Sequence, residues 1–144
     1  MAWINFNTIQ DDLVTLLTAN VSAAELVKKQ CDDRDYNFSN MPLIDVRLRS
    51  SANNVRAGRD YYVSTTFEVQ VTVHDLSGFD EAATLRDTVL SEAIDTVRNN
   101  ANFSAQIETS MIGPVEFSNA KDEGSGAFMA AATFDVIVEA FVDK

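Results

Sequence analysis

The clearest pattern in the chain runs from Tyr61 to Asp75, YYVSTTFEVQVTVHD. Odd positions carry Tyr61, Val63, Thr65, Phe67, Val69, Val71 and Val73; even positions carry Tyr62, Ser64, Thr66, Glu68, Gln70, Thr72 and His74. Period-two alternation of β-branched and aromatic residues predicts a long strand with one face on a core and one face polar. Strands of a parallel sheet buried on both faces read as continuous apolar runs, so this one is expected in an antiparallel sheet.

Ahead of it, Phe6, Ile9, Leu13, Leu16 and Leu17 recur at helical spacing and predict a helix from about Thr8 to Ala19. Asn7 followed by Gln10 resembles a capping box, with Asp11 and Asp12 suited to a first turn. Val21 to Gln30 fits two readings: a short helix capped by Ser22 and Glu25, or a short edge strand at Leu26 to Lys28. The polar stretch Asp32 to Asn40 reads as loop. After Pro42, Ile44, Val46 and Leu48 alternate with Asp45, Arg47 and Arg49, which predicts a strand that starts where proline is tolerated. Ser50 to Asp60, SSANNVRAGRD, has no apolar pattern and reads as a long connection.

Beyond the opening strand, Ala82, Leu85, Val89, Leu90, Ala93, Ile94 and Val97 form a wide apolar stripe. They predict a helix from an N-cap at Asp80 to about Arg98. Ala105 to Phe117 alternates again, with Ile107, Thr109, Met111, Val115 and Phe117 assigned to one face and Gly113-Pro114 to a bulge or break. Asn119 to Gly126 reads as a turn. In the last strand, Ala127 to Val142, Phe128, Phe134, Val136, Val138 and Val142 share one face, while Met129, Ile137 and Phe141 interrupt the other. That implies a central strand or a second surface meeting another chain. The expected fold is α+β, a mostly antiparallel four-stranded sheet covered by helices in the order α-β-β-α-β-β, with residues 1–144 forming one domain.

Charge narrows the possible partners. With 22 acidic and 11 basic residues the net charge is -11, which opposes tight binding to a polyanion but not the passage of nucleic acid that is not held. One cysteine, Cys31, excludes an internal disulfide and a thiolate metal site. The opening MAWINFNTIQDDL lacks the basic-then-apolar layout of a secretory signal, and no apolar run reaches the ~18 residues of a membrane span. A protein of a reducing cytoplasm, without membrane contact, is expected.

Catalytic chemistry is sparse. His74 is the single histidine, on the polar face of the opening strand beside Asp75, with no nucleophile motif around it. Asp32, Asp33 and Asp35, and Asp122 with Glu123, do not match a calcium loop, and no phosphate-binding glycine motif is present. No catalytic residue, metal or cofactor is expected. Arg47, Arg49, Arg56 and Arg59, four of the chain's 11 positive residues, go against the overall balance. They fit either a solvated hairpin that blunts a sheet edge or a basic arm that docks on an acidic surface. In so acidic a chain, the acidic surface nearest to hand is another copy of itself. With Tyr62 and His74, which a neighbour could bury, these arginines are the candidate subunit contacts.

The layout resembles a known family. A leading amphipathic helix precedes a strand opening at Met41-Pro42-Leu43; Ala57-Gly58-Arg59 then leads into the long strand, a helix spans Asp80 to Arg98, and the chain ends in GAFMAAATFDVIVEAFVDK. This is similar to the tail terminator (tail completion, tail-to-head joining) proteins of long-tailed bacteriophages, of the lambda type. The likeness covers nearly the whole chain and fits least well over Val21 to Asn40. It implies a virion protein without catalytic role. Such a protein forms a hexameric ring on the head-proximal end of the tail tube, assembles in the host cytoplasm, stops tube polymerisation, and meets the tail tube protein and the head connector or stopper, with DNA passing through its lumen. Two other readings compete: a ferredoxin-like or hotdog-like ligand-binding or enzyme domain using His74, Asp75 and Glu68, and another phage neck or baseplate component.

Overall fold

A computed structural model describes residues 4–55, 60–121 and 126–143. Helix α1 spans Phe6–Asn20, strand β1 Leu26–Lys29, β2 Leu43–Val55, β3 Asp60–Asp75, helix α2 Phe79–Asn99, β4 Thr109–Lys121 and β5 Phe128–Asp143. The strands form one five-stranded sheet in the order β1-β2-β3-β5-β4. The expected α+β class and antiparallel character hold for β2 to β5, but the expected four strands become five. The added strand, β1, runs parallel to β2, pairing Leu26 with Leu43 and Lys29 with Val46. Of the two readings of Val21 to Gln30, the edge strand is the one observed.

Both helices cover the same face of the sheet. In α1, Ile9, Leu13 and Leu17 are buried one turn apart, and the N-cap is Asn5, whose side chain accepts from the N–H of Thr8 at 3.1 Å. The helix thus starts earlier than the Asn7 box predicts, which moves Asp11 out of the first turn and across to β1. There it pairs with Lys29 at 2.6 Å. α2 likewise starts ahead of its expected cap: Gly78, at φ 156, is the N-cap, and Asp80 and Glu81 occupy the first turn, where carboxylates meet the positive end of the helix dipole. Ala82 and Ala93 on its inner stripe are fully buried, small enough to let the helix lie close to the sheet.

The core lies between helices and sheet. Val63, Phe67, Val69, Val71 and Val73 of β3 meet Val136, Phe134 and Ala132 of β5 through the register Phe67–Val136, Val69–Phe134 and Val71–Ala132. β5 is an interior strand, flanked by β3 and β4, the first of the two positions its apolar faces allow.

Two expectations about connections are corrected. Ser50 to Val55 is strand, paired with Thr66 to Tyr61 of β3, so the connection between β2 and β3 shrinks to residues 56–59, outside the described residues. A stretch without apolar periodicity still makes a strand here because β3 already offers the matching edge. Similarly, β4 continues through Asn119 to Lys121, leaving only part of the predicted turn.

The Gly113-Pro114 bulge is present, as a register shift between Ile112 and Val115. It inserts one residue and so reverses the facing of the rest of β4. Met111 therefore lies opposite Ile137 on the face away from the helices, whereas Val115 and Phe117 lie opposite Phe134 and Ala132 on the helix side. Met111 and Phe117 do not share the single face assigned from the alternation. Gly113 itself is set tightly: a Cβ there would sit 2.9 Å from Cβ of Asp135.

Candidate interaction surface

The face opposite the helices is built from even positions of β3 and odd positions of β5. One corner of it is closed. Leu43, Asp45 and Thr72 point to this face yet are buried. Asp45, at zero side-chain exposure, accepts the backbone N–H of Cys31 at 3.0 Å, the hydroxyl of Tyr36 at 3.0 Å and Nε–H of Arg47 at 2.7 Å. Arg47 also donates to the carbonyl of Cys31. The segment between β1 and β2 is therefore strapped over this corner by one carboxylate. At its middle, Asp35 accepts Lys28 Nζ at 3.0 Å and the N–H of Asp32 at 2.9 Å. The Asp32 N–H, together with Lys28, holds the Asp35 carboxyl below the usual carboxylate range. Burial first, and the neighbouring Asp45 second, push the Cys31 thiol up to about 12 and raise the Tyr36 phenol as well. Cys31 is thus an inert structural thiol.

The side chain of Gln30, a residue at φ 51, extends the β1–β2 ladder. Its backbone N–H donates to Val46, while its Oε1 accepts Leu48 N–H at 3.1 Å and Nε2–H of the buried Gln10 at 3.0 Å. Gln10 gives a further bond to the Val46 carbonyl at 2.8 Å, so α1, β1 and β2 are locked at one point.

Past this point the face is open. Arg49, at the bulge of β2, reaches across β3 to Asp135 of β5 at 3.2 Å, passing Glu68 at 3.7 Å. With Pro114, Glu116 and Thr133 these residues line a depression of about 260 Å³. Glu68, Glu116, Asp135 and Glu139 give the face an acidic cast.

The candidate contact residues are therefore not one cluster. Arg47 is engaged by Asp45 under the strap and Arg49 by carboxylates of its own chain. His74 is half-buried, its ring centroid 6.2 Å from that of Phe38. Arg56 and Arg59 lie outside the described residues, as does the side chain of Tyr62. Glu68 and His74 stand six residues apart on β3, roughly 20 Å at about 3.3 Å per residue, and Asp75 faces the other way, so these three do not converge. No group of three or more His, Cys, Asp or Glu suited to a metal ion occurs among the described residues. Asp45 is a site residue that the sequence pattern did not single out. Its signal was an acidic residue two positions before an arginine on a strand face, but its burial depends on a strap that has no periodicity.

Solved structures share this fold. Among them is a chain of the "Virion of native gene transfer agent (GTA) particle", with a TM-score of 0.60 over 96% of this chain and 100% of that chain, at 13% sequence identity. At that identity the likeness is one of fold. No protein-family model and no curated protein matches the sequence.

Proposed function

We propose that this chain is a structural protein of a phage-like particle, and more narrowly the subunit of a ring that caps the head-proximal end of a tail tube and joins it to the head connector. The observation that carries the coarser part is the fold shared, over 96% of this chain, with a virion chain. The narrower part rests on the family resemblance in element order and texture. The surface is consistent with both. Its open face is acidic, it lacks converging acid–base or nucleophilic groups among the described residues, and a wall of carboxylates repels phosphate, which lets DNA slide rather than stick. In this reading the ring works by occupying the tube end and offering its other side to the connector, without chemistry.

The test is tail morphology in particles assembled without this protein. The expected result is tubes of uncontrolled length that fail to join heads, with length control restored by adding the purified protein. Normal, head-joined tails in its absence would exclude the capping role. Tubes of normal length that do not join heads would point instead to another neck component.

A further inference from the structure

One end of the subunit, where β3 leaves the sheet, gathers exposed apolar groups. Six large hydrophobic side chains are exposed among the described residues, and three of them lie here: Phe38 at 52%, Leu76 at 63% and Phe79 at 41%. Phe38 is beside His74, an open-face residue, with 6.2 Å between ring centroids. Phe79 packs edge-to-face on Phe128 at 4.6 Å, and Phe128 is the register partner of Asp75 on the helix side. Leu76 stands between them, in a turn that Asp75 holds by accepting the N–H of Ser77 at 2.7 Å. The three side chains therefore follow the end of β3 from one face of the sheet to the other.

A depression of about 390 Å³ begins at the next residue of α2, lined by Asp80, Glu81, Thr84, Leu85 and Thr88. The hydroxyls of Thr84 and Thr88 donate to the carbonyls of Asp80 and Thr84, at 2.8 and 3.0 Å. Those hydroxyls are spent on the helix backbone, so the two threonines offer a partner their methyl groups, beside Leu85. The carboxylates stand at the end nearest Phe79, and Glu81 folds back over the turn: its Oε2 lies 2.9 Å from where a Cβ of Gly78 would be. Asp11, Asp35, Asp45, Asp87 and Asp135 are each ion-paired within the chain, whereas Asp80 and Glu81 have no basic partner among the described residues.

We infer that this end docks against a different protein of the particle, one presenting an apolar centre flanked by lysine or arginine. The apolar centre covers Phe38, Leu76 and Phe79. A basic side chain of the partner lies along α2, its stem on Leu85 and the threonine methyls and its cation at Asp80 and Glu81. This rests on the reading of the chain as a virion protein, and not on the ring.

Shape and charge choose this occupant. Contiguous exposed apolar groups mark an interaction surface, and the ring contact and the turn bond already hold these in place, so docking orders little. The acidic fringe of Asp75, Asp80 and Glu81 repels nucleic acid. A second copy is a poor match. Its Lys28, Lys29, Arg47, Arg49 and Arg86 already hold carboxylates of their own chain, which leaves little basic surface among the described residues. A two-fold contact at this end would set Asp80 and Glu81 against their like, which costs affinity.

The experiment takes tail tubes and heads isolated from particles assembled without this protein. Binding of the purified protein to each is measured by co-sedimentation over a salt series. Wild type is expected to bind at least one of the two, more weakly as salt rises, because exposed charge pairs are screened. Phe38→Ser with Leu76→Ser changes two exposed positions, so circular dichroism should be unaltered while binding to one probe falls at least ~10-fold. Asp80→Asn with Glu81→Gln should weaken the same binding at low salt and flatten its salt dependence, which a role confined to helix stability would not do. Native mass spectrometry of either double variant alone should show the self-assembly of wild type. Both double variants binding as wild type does would overturn the docking surface and leave the virion reading standing. Self-assembly lost in the variants would name a second copy as the occupant and also overturn it. Wild-type protein that binds neither tubes nor heads would sink the virion reading and this inference together.

Discussion

Asp45 offers the sharpest test of how the sheet is held. Its carboxylate takes no solvent and accepts three bonds, from Cys31, Tyr36 and Arg47, that pin the strap over one corner of the open face. Asp45→Ala removes all three at once. Breaking a buried ion pair from one side costs about 3–5 kcal/mol, and stranded neutral donors cost about 1–3 kcal/mol each. These do not simply add. Arg47 is 39% exposed and water reaches it, so its share must be discounted. A net loss of about 2–4 kcal/mol is expected from these magnitudes, a large part of the ~5–15 kcal/mol that a domain holds in total. Denaturant unfolding measures it as a lower midpoint at unchanged slope. Hydrogen exchange should also show the Cys31 amide losing protection ahead of the β3 and β5 amides, because the strap opens locally. Tyr36→Phe, which removes one bond and little volume, should cost about 1 kcal/mol. A loss below about 0.5 kcal/mol in Asp45→Ala, the range of an ordinary surface change, would refute the idea that this carboxylate anchors the strap.

Three further outcomes are expected. The Cys31 thiol, raised from 9.0 to about 12 in the fold, loses its proton more readily when unfolded, so stability should fall as pH rises from about 9 toward 12. In Cys31→Ala that alkaline slope should be shallower, and at about pH 8 a thiol reagent should label the wild type only as fast as it opens. Gly113→Ala forces a methyl to within 2.9 Å of Cβ of Asp135; thermal unfolding should register about 1–3 kcal/mol of overpacking strain. The double reversal Arg56→Glu, Arg59→Glu should weaken self-assembly, read by light scattering, with unchanged circular dichroism. Unaltered assembly would mark these two positions as solvated loop.

Much of this architecture was legible because it rests on period. β3 alternates without interruption, and α1 and α2 carry apolar stripes, so burial and periodicity say the same thing. What stayed hidden is whatever depends on a partner elsewhere in the chain. Leu26–Lys29 is too short to establish a period and becomes a strand because the edge of β2 at Leu43–Val46 is there to receive it. Ser50–Val55 has no apolar face and is strand because β3 extends beside it. At the bulge, one inserted residue turned Met111 away from Phe117, a change that alternation alone does not reveal. The candidate contact surface was legible as charge but not as geometry. Arg47 and Arg49 fit a solvated hairpin or a basic docking arm, whereas Asp45, Asp135 and Glu68 of the same chain already engage them. The two edges that distinguish one side of the subunit from the other come from strand order, which no local pattern encodes.

Copy number at the tube end tests the central claim most directly. Native mass spectrometry or averaged electron-microscopy images of isolated tails, with this protein bound, would give it. The proposed capping role predicts one ring of several copies, six by the family resemblance, at the head-proximal end and none along the tube. A single copy per tail, or copies distributed along its length, would contradict it.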